Sequence, residues 1–226
     1  MSTVELVVAD LAGTTVEDPG LVLGAFRDGL AAVGADGVTD AQLVHLMGVD
    51  KREAFARLLD RDGNDPTVDE ALRVFVARTV SDAAAGRYAP LPGVDAALQA
   101  LHDAGIRIAL TTGFGREILD GILDANGWRG IADASVASDE VPHGRPAADL
   151  VHESMRRTGV TDPATVAVVG DTLNDLGCAR AAEAGWAIAV TSGSGDPDEL
   201  SAVPGAIVVE GFADAVAMLL RGPTVA

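Results

Sequence analysis

The stretch "VVADLAGTTVED", residues 7–18, runs an apolar strand into Asp10. A carboxylate at the end of such a strand projects from the sheet edge and can act as nucleophile or metal ligand; it can equally cap a strand-to-loop turn. "VVGDTLND", residues 168–175, repeats the pattern with Asp171, and Asp175 follows four residues later on one face of an emerging helical turn. Two or three oxygen donors from neighbouring strand ends suit a hard divalent cation such as Mg²⁺, which keeps several waters. Asp175 alone reads as an acid favoured in the first turn of a helix.

Two further segments offer groups for an anionic ligand. In "ALTTGFGREIL", residues 109–119, a strand ends in hydroxyls and a glycine ahead of a helix. Thr112 and the Gly113 N–H can grip phosphoryl oxygens there, although a threonine in that place is also a common N-cap. In "DEVPHGRPAADL", residues 139–150, Arg145 lies in a loop just ahead of a helix opened by Pro146. Its guanidinium suits bidentate contact with carboxylate or phosphate. Lys51, in "LMGVDKREAFARLL", residues 46–59, taken alone is a solvated lysine at a helix start.

The elements that must position these groups follow from periodicity. Short apolar runs near residues 5, 106, 134, 165, 186 and 206 alternate with amphipathic segments, several ending in Gly. That is the pattern of a parallel α/β sheet flanked by helices, whose ligands bind beyond the carboxyl ends of the strands. Residues 20 to about 86 break the alternation: helical periodicity, no convincing strand. The reading is a discontinuous core of residues 1–17 and 88–226 with a helical insertion over 18–87, both linkers lying near the end of the first strand.

Composition limits the partners. The chain has 226 residues, 48% of them apolar, and a formal net charge of −18, which opposes general affinity for nucleic acid or an anionic membrane. Aromatics are scarce, so Val, Leu and Ala are expected to fill the core. The single cysteine, Cys178, excludes an intrachain disulfide and reads as a helix-packing residue. The first residues carry no basic start, and their apolar run is too short for a signal or a membrane span. A cytoplasmic protein is expected.

Taken together and in this order, the four motifs resemble those of the haloacid dehalogenase superfamily of phosphotransferases. "DLAGTTVED", "TTGFGREILD", "VPHGRP" and "GDTLNDLGCARAAEAGW" resemble one branch of it in particular, the phosphonatases (phosphonoacetaldehyde hydrolases) and their phosphonatase-like sisters. Most of the superfamily carries Asp-x-Asp in the first motif, where this chain has Ala12, and Lys in the third, where it has Arg145. The segment with Met47, Gly48 and Lys51 resembles the phosphonatase cap segment that carries a Schiff-base lysine.

The resemblance implies a Rossmann-like core with a helical cap, Mg²⁺ held by Asp10, the Ala12 carbonyl, Asp171 and Asp175, and phosphoryl contacts from Thr112, Gly113 and Arg145. Met47 and Phe114 would touch the substrate. Lys51 would condense with a 2-oxoalkylphosphonate while Asp10 attacks phosphorus, giving an aspartyl-phosphate. The missing acid then makes chemical sense. An alkoxide leaving group profits from a general acid that Ala12 cannot supply, whereas a carbanion needs an electron sink, which a lysine iminium provides.

The chain departs from the branch in three places: Ala54 stands where a histidine follows the lysine, Phe114 where a tyrosine is common, and "VEDPGL" lacks a cysteine. His45 and His143 are the other histidines near the motifs, and His102 and His152 read as helix-face residues. Whether partial burial as the cap closes, with Arg52 adjacent, lowers the Lys51 pKa more than Asp50 and Glu53 raise it stays open at this level. The alternatives are a phosphatase or phosphomutase acting on a small phosphate ester, and a non-catalytic protein that retains the fold. A homodimer through the cap is also implied by resemblance, with "AFRDGLAAVG" offering small residues for a close helix contact.

Overall fold

The computed structural model describes residues 3–221. Six parallel strands form one sheet: β1 (Leu6–Asp10), β2 (Arg107–Thr111), β3 (Ala134–Val136), β4 (Val166–Gly170), β5 (Trp186–Val190) and β6 (Ala206–Val209), in the order β3-β2-β1-β4-β5-β6. All six arise where the apolar runs placed them. The central strand β1 is buried along its whole length, as a strand covered on both faces must be. Val7 and Ala9 join the larger apolar cluster, while Leu6 and Val8 join a second one. That second layer is built from α7 (Asp149–Thr158) and α8 (Leu173–Ala181), where Cys178 is buried as expected.

Register brings the functional ends together. Ala9 pairs with Leu110 and with Val169, and Val169 pairs with Ile188. Asp10, Thr112, Asp171 and the loop after Val190 therefore leave the sheet at one level, on the same edge.

Between β1 and α5 (Val94–Asp103) lie only helices: α1 (Leu21–Ala32), α2 (Asp40–Val44), α3 (Lys51–Leu59) and α4 (Pro66–Ala84). The two linkers run side by side, with the Glu17 N–H bonded to Ala89 O at 2.8 Å and Leu91 N–H to Thr15 O at 3.0 Å. Phe26, Phe55 and Phe75 pack together with centroids 5.0 to 5.8 Å apart. Phe75 also meets Phe114 of the sheet-edge loop at 6.2 Å, so the helical segment and one face of the sheet share a single apolar cluster. Ala25 and Gly29 of α1 are buried, and a Cβ on Gly29 would meet Ala71 O and the Phe55 ring. These two small residues of "AFRDGLAAVG" thus serve a contact within the chain.

Two details differ from the sequence reading. Pro146 does not open α7, which starts at Asp149. The Ala147 N–H bonds back to Gly144 O at 3.0 Å, closing a turn around Arg145 and Pro146 that aims the guanidinium inward. A short helix α9 (Pro197–Ser201), unforeseen in the sequence, is capped by Asp196 and precedes β6; α6 (Arg116–Asn126) and α10 (Phe212–Arg221) complete the fold. Among the described residues no helix is long and apolar enough to cross a membrane.

Candidate active site

A cavity of about 150 Å³ opens where the sheet edge meets the helical segment. Asp10, Ala12, Thr112, Gly113, Phe114 and Asp171 line it from the sheet side, and Met47, Gly48 and Lys51 from the helical side. Of the residues singled out in the sequence, Arg145 and Asp175 do not line it.

Arg145 lies behind the cavity instead. It is only 3% exposed, and its Nη1 donates to Asp10 Oδ1 and its Nη2 to Thr111 Oγ1. Its Nε sits 3.0 Å from Asp175 Oδ1, in ion-pair contact but out of line for a hydrogen bond, so that buried oxygen has no hydrogen-bond partner among the described residues. The other Asp175 oxygen accepts from the Thr172 N–H at 3.1 Å and Oγ1 at 2.6 Å, a capping box that starts α8. Asp175 is thus both the helix-start acid its position suggests and a second counter-charge for Arg145.

Asp171 is held from two sides. Its Oδ2 accepts from Ser194 N–H at 2.7 Å and Ser194 Oγ at 3.2 Å, and its Oδ1 from Thr14 Oγ1 at 3.4 Å. A Cβ on Gly193 would fall 2.1 Å from Asp171 Oδ2, so only glycine lets that loop close over the carboxylate. The Ser192–Ser194 loop and Thr14 were missed in the sequence. The available signal was the glycine-serine run directly after a strand of a parallel sheet, where ligand-binding loops lie.

Burial raises the pKa of both Asp10 and Asp171 above the usual carboxylate range. For Asp171 the charges of Asp175 and Asp10 add to the effect; for Asp10 the Arg145 charge opposes it and Asp175 adds to it. Two buried carboxylates that repel one another across adjacent strand ends form a donor set relieved by a hard cation. No group of three or more His, Cys, Asp or Glu among the described residues is gathered to hold a metal ion; Arg145 contacts both Asp10 and Asp175. Asp10, Asp171 and Ala12 line the cavity together and could hold such a cation with water completing the shell.

Lys51 is the first residue of α3 and only 5% exposed. Asp50 caps the helix through the Glu53 N–H at 3.0 Å, which turns the Lys51 side chain into the seam. There Nζ donates to Val49 O at 2.9 Å and lies 5.4 Å from the Phe26 ring centroid and 5.5 Å from that of Phe114. Burial lowers its pKa from 10.5 to about 8, against the charges of Asp10, Asp50 and Asp18 and with help from Arg145. Arg52 and Glu53 are not among the leading influences. Arg52 is engaged with Asp69 at 2.5 Å, and Glu53 pairs with Arg57, all at the surface.

The loop bearing Met47 to Lys51 is seated on the sheet edge. Asn174 Nδ2 donates to Met47 O at 2.8 Å and Ser138 Oγ to Asp50 Oδ2 at 2.9 Å. A Cβ on Gly113 would lie 2.7 Å from Gly48 O and 2.8 Å from Val49 O, so backbone meets backbone here. Thr112 Oγ1 accepts from the Phe114 N–H at 3.1 Å, but it does not cap α6, whose N-cap is Gly115. Ala54 is fully buried. His45, His102, His143 and His152 are all exposed, and none lines the cavity.

Known proteins agree with this architecture. The chain is 29% identical over 226 residues to phosphonoacetaldehyde hydrolase of Bacteroides fragilis, covering 91% of this chain and 84% of that one. It is 31% identical over 215 residues to the protein named "Probable phosphatase IndB" of Dickeya dadantii, covering 93% and 91%. The solved phosphonoacetaldehyde hydrolase-like protein of Oleispira antarctica superposes with a TM-score of 0.79 at 22% identity, covering 99% of this chain and 96% of that one, a likeness of fold. The resemblance to phosphonatases read from the motifs is borne out in these relatives. The model of the haloacid dehalogenase-like hydrolases matches residues 7–189, and the chain belongs to that family of hydrolases.

Proposed function

We propose that the protein hydrolyses the carbon–phosphorus bond of a small 2-oxoalkylphosphonate, with Lys51 as imine-forming amine and Asp10 as nucleophile toward phosphorus. The observation that carries this is Lys51 itself. A lysine that is buried, bonded only to a carbonyl, flanked by two aromatic rings and facing the same small cavity as Asp10 serves no structural purpose that a methionine would not serve better. With its pKa near 8, about a tenth of it is neutral at pH 7, enough to attack a carbonyl.

The residues divide the work. Lys51 condenses with the carbonyl, and the iminium draws the electrons of the breaking bond into an enamine. Asp10 takes the phosphoryl group, while Thr112 and the Gly113 N–H hold its oxygens. Arg145 fixes Asp10 through one nitrogen and is balanced by Asp175. Water then hydrolyses the acyl phosphate. Mg²⁺, held by Asp10, Asp171 and the Ala12 carbonyl, would neutralise charge on the phosphoryl oxygens. The helices between residues 18 and 87 act as a cap whose seating excludes water from the enamine step.

A phosphatase acting on a phosphate ester is the second reading, favoured by the IndB relative. The two separate cleanly. Borohydride treatment of protein mixed with phosphonoacetaldehyde should leave a reduced adduct on Lys51 by mass spectrometry, with phosphate release lost in Lys51→Ala. Phosphate release from esters alone, undiminished in Lys51→Ala, would establish the phosphatase instead.

A further inference from the structure

Imine chemistry needs a proton carrier. A neutral amine adds to a carbonyl to give a carbinolamine, whose hydroxyl departs as water only when protonated, and hydrolysis of the imine demands the reverse. The groups already assigned are spoken for. Asp10 is held by Arg145 and attacks phosphorus, and Asp171 is gripped by Ser194 and Thr14. Thr112, Ser192 and Ser194 line the cavity with hydroxyls, which titrate far above neutrality. Ala54, one helical turn beyond Lys51, is apolar and buried.

One carboxyl in the cavity is left without a task. Asp18 lines it together with Lys51, Val22 and Met47, and the charges of Asp18 and Lys51 act on one another. Its Oδ1 accepts the Val22 N–H at 3.1 Å, which fixes the carboxyl at the start of α1. It directly follows Glu17, whose N–H pairs with the other linker, so its place is tied to the seating of the cap.

Resting on the imine reading above, we propose that Asp18 is the acid–base residue that serves Lys51. As a carboxylic acid it gives its proton to the carbinolamine oxygen; the C–O bond breaks, water leaves, and iminium and Asp18 carboxylate remain. After the phosphoryl group has moved to Asp10 and the enamine carbon has taken a proton from water, the Asp18 carboxylate takes a proton from the water that attacks the iminium. That restores the acid and a carbinolamine, which releases the dephosphonylated carbonyl product and Lys51. The proton consumed at carbon is matched by the one freed when water hydrolyses the acyl phosphate. Burial raises the Asp18 carboxyl above the usual carboxylate range despite the N–H bonds from Val22 and Leu21, which helps it keep a proton to give.

The test is the rate at which a borohydride-trapped Lys51 adduct forms from phosphonoacetaldehyde, followed by rapid quench and mass spectrometry in wild type, Asp18→Asn, Asp18→Ala and Asp18→Glu. Wild type should trap readily; the Asn and Ala variants should trap on the order of 100-fold more slowly with KM little changed. Added formate should restore part of the rate to Asp18→Ala, and Asp18→Glu, which keeps the acid, should retain most of it. Wild-type trapping with equal rates in the Asn and Ala variants would overturn the role of Asp18 alone. So would slow trapping that formate and Asp18→Glu both fail to restore, since that marks a structural effect. No adduct in wild type would overturn the imine reading and this inference with it.

Discussion

The two walls of the cavity treat charge in opposite ways. On the sheet side every ion is answered: Asp10 by Arg145, Arg145 also by Asp175, and Asp171 by Ser194 and Thr14. On the helical side Lys51 has a single carbonyl and two aromatic faces. Even with their partners, Asp10 and Asp171 are raised by burial above the usual carboxylate range, while on the other wall burial lowers Lys51 to about 8. The sheet edge thus presents crowded carboxylates braced by a guanidinium and hydroxyls, and the helical side a lysine whose proton is loosely held.

Substitutions can break each wall separately. Asp10→Asn, which removes the proposed nucleophile, should cost the most, at least ~10⁴-fold in phosphate release from any substrate, measured in steady state. Lys51→Met should abolish release from an oxo-phosphonate while leaving a labile acyl phosphate as a substrate, a contrast that the phosphatase reading forbids.

The same variant sharpens the comparison through stability. Lys51 binds its proton less tightly folded, near 8, than at its ordinary 10.5. Between those values the unfolded chain holds more protons, so stability rises with pH across that window, and below it the full cost of about 3 kcal/mol applies. Lys51→Met should therefore raise stability at pH 7 by about 2 kcal/mol and flatten its dependence on alkaline pH, by chemical denaturation at several pH values. Arg145→Ala should do the reverse, leaving Asp10 and Asp175 unanswered and costing about 3 kcal/mol.

Smaller effects probe the seam. Imine-dependent turnover should rise about fivefold from pH 7 to pH 8 as the neutral fraction of Lys51 grows, read from the pH profile of kcat/KM. Ser138→Ala removes the bond to Asp50 and should lower turnover only a few-fold, since one hydrogen bond contributes about 1 kcal/mol.

The sheet was legible because burial on both faces writes strands as unbroken apolar runs, and the motif carboxylates fall at their ends. The scarcity of aromatics correctly foretold aliphatic sheet layers. It hid the fact that Phe26, Phe55, Phe75 and Phe114 gather beside Lys51. Nothing local in the sequence says that residues so far apart meet. The same holds for Arg145, whose neighbours Asp10, Thr111 and Asp175 come from three other elements. Burial was legible in the sequence as one influence on the Lys51 pKa but could not be weighed against Asp50 and Glu53; in the structure burial outweighs every neighbour, and Arg52 and Glu53 lie at the surface. Asp18 escaped notice because an acid before Pro-Gly reads as an ordinary turn.

The contact of Gly113 with the Gly48 and Val49 carbonyls has no side chain that could swing aside. It acts as a gauge block, setting by the thickness of two peptide groups how near Lys51 can come to Asp10. A single methyl at position 113 would hold the jaws ajar. Chemistry that needs both jaws at once would fail, while chemistry that needs only the lower one would persist. On the proposed imine route, carbon–phosphorus cleavage would then depend on a spacing, with every reactive group still in place.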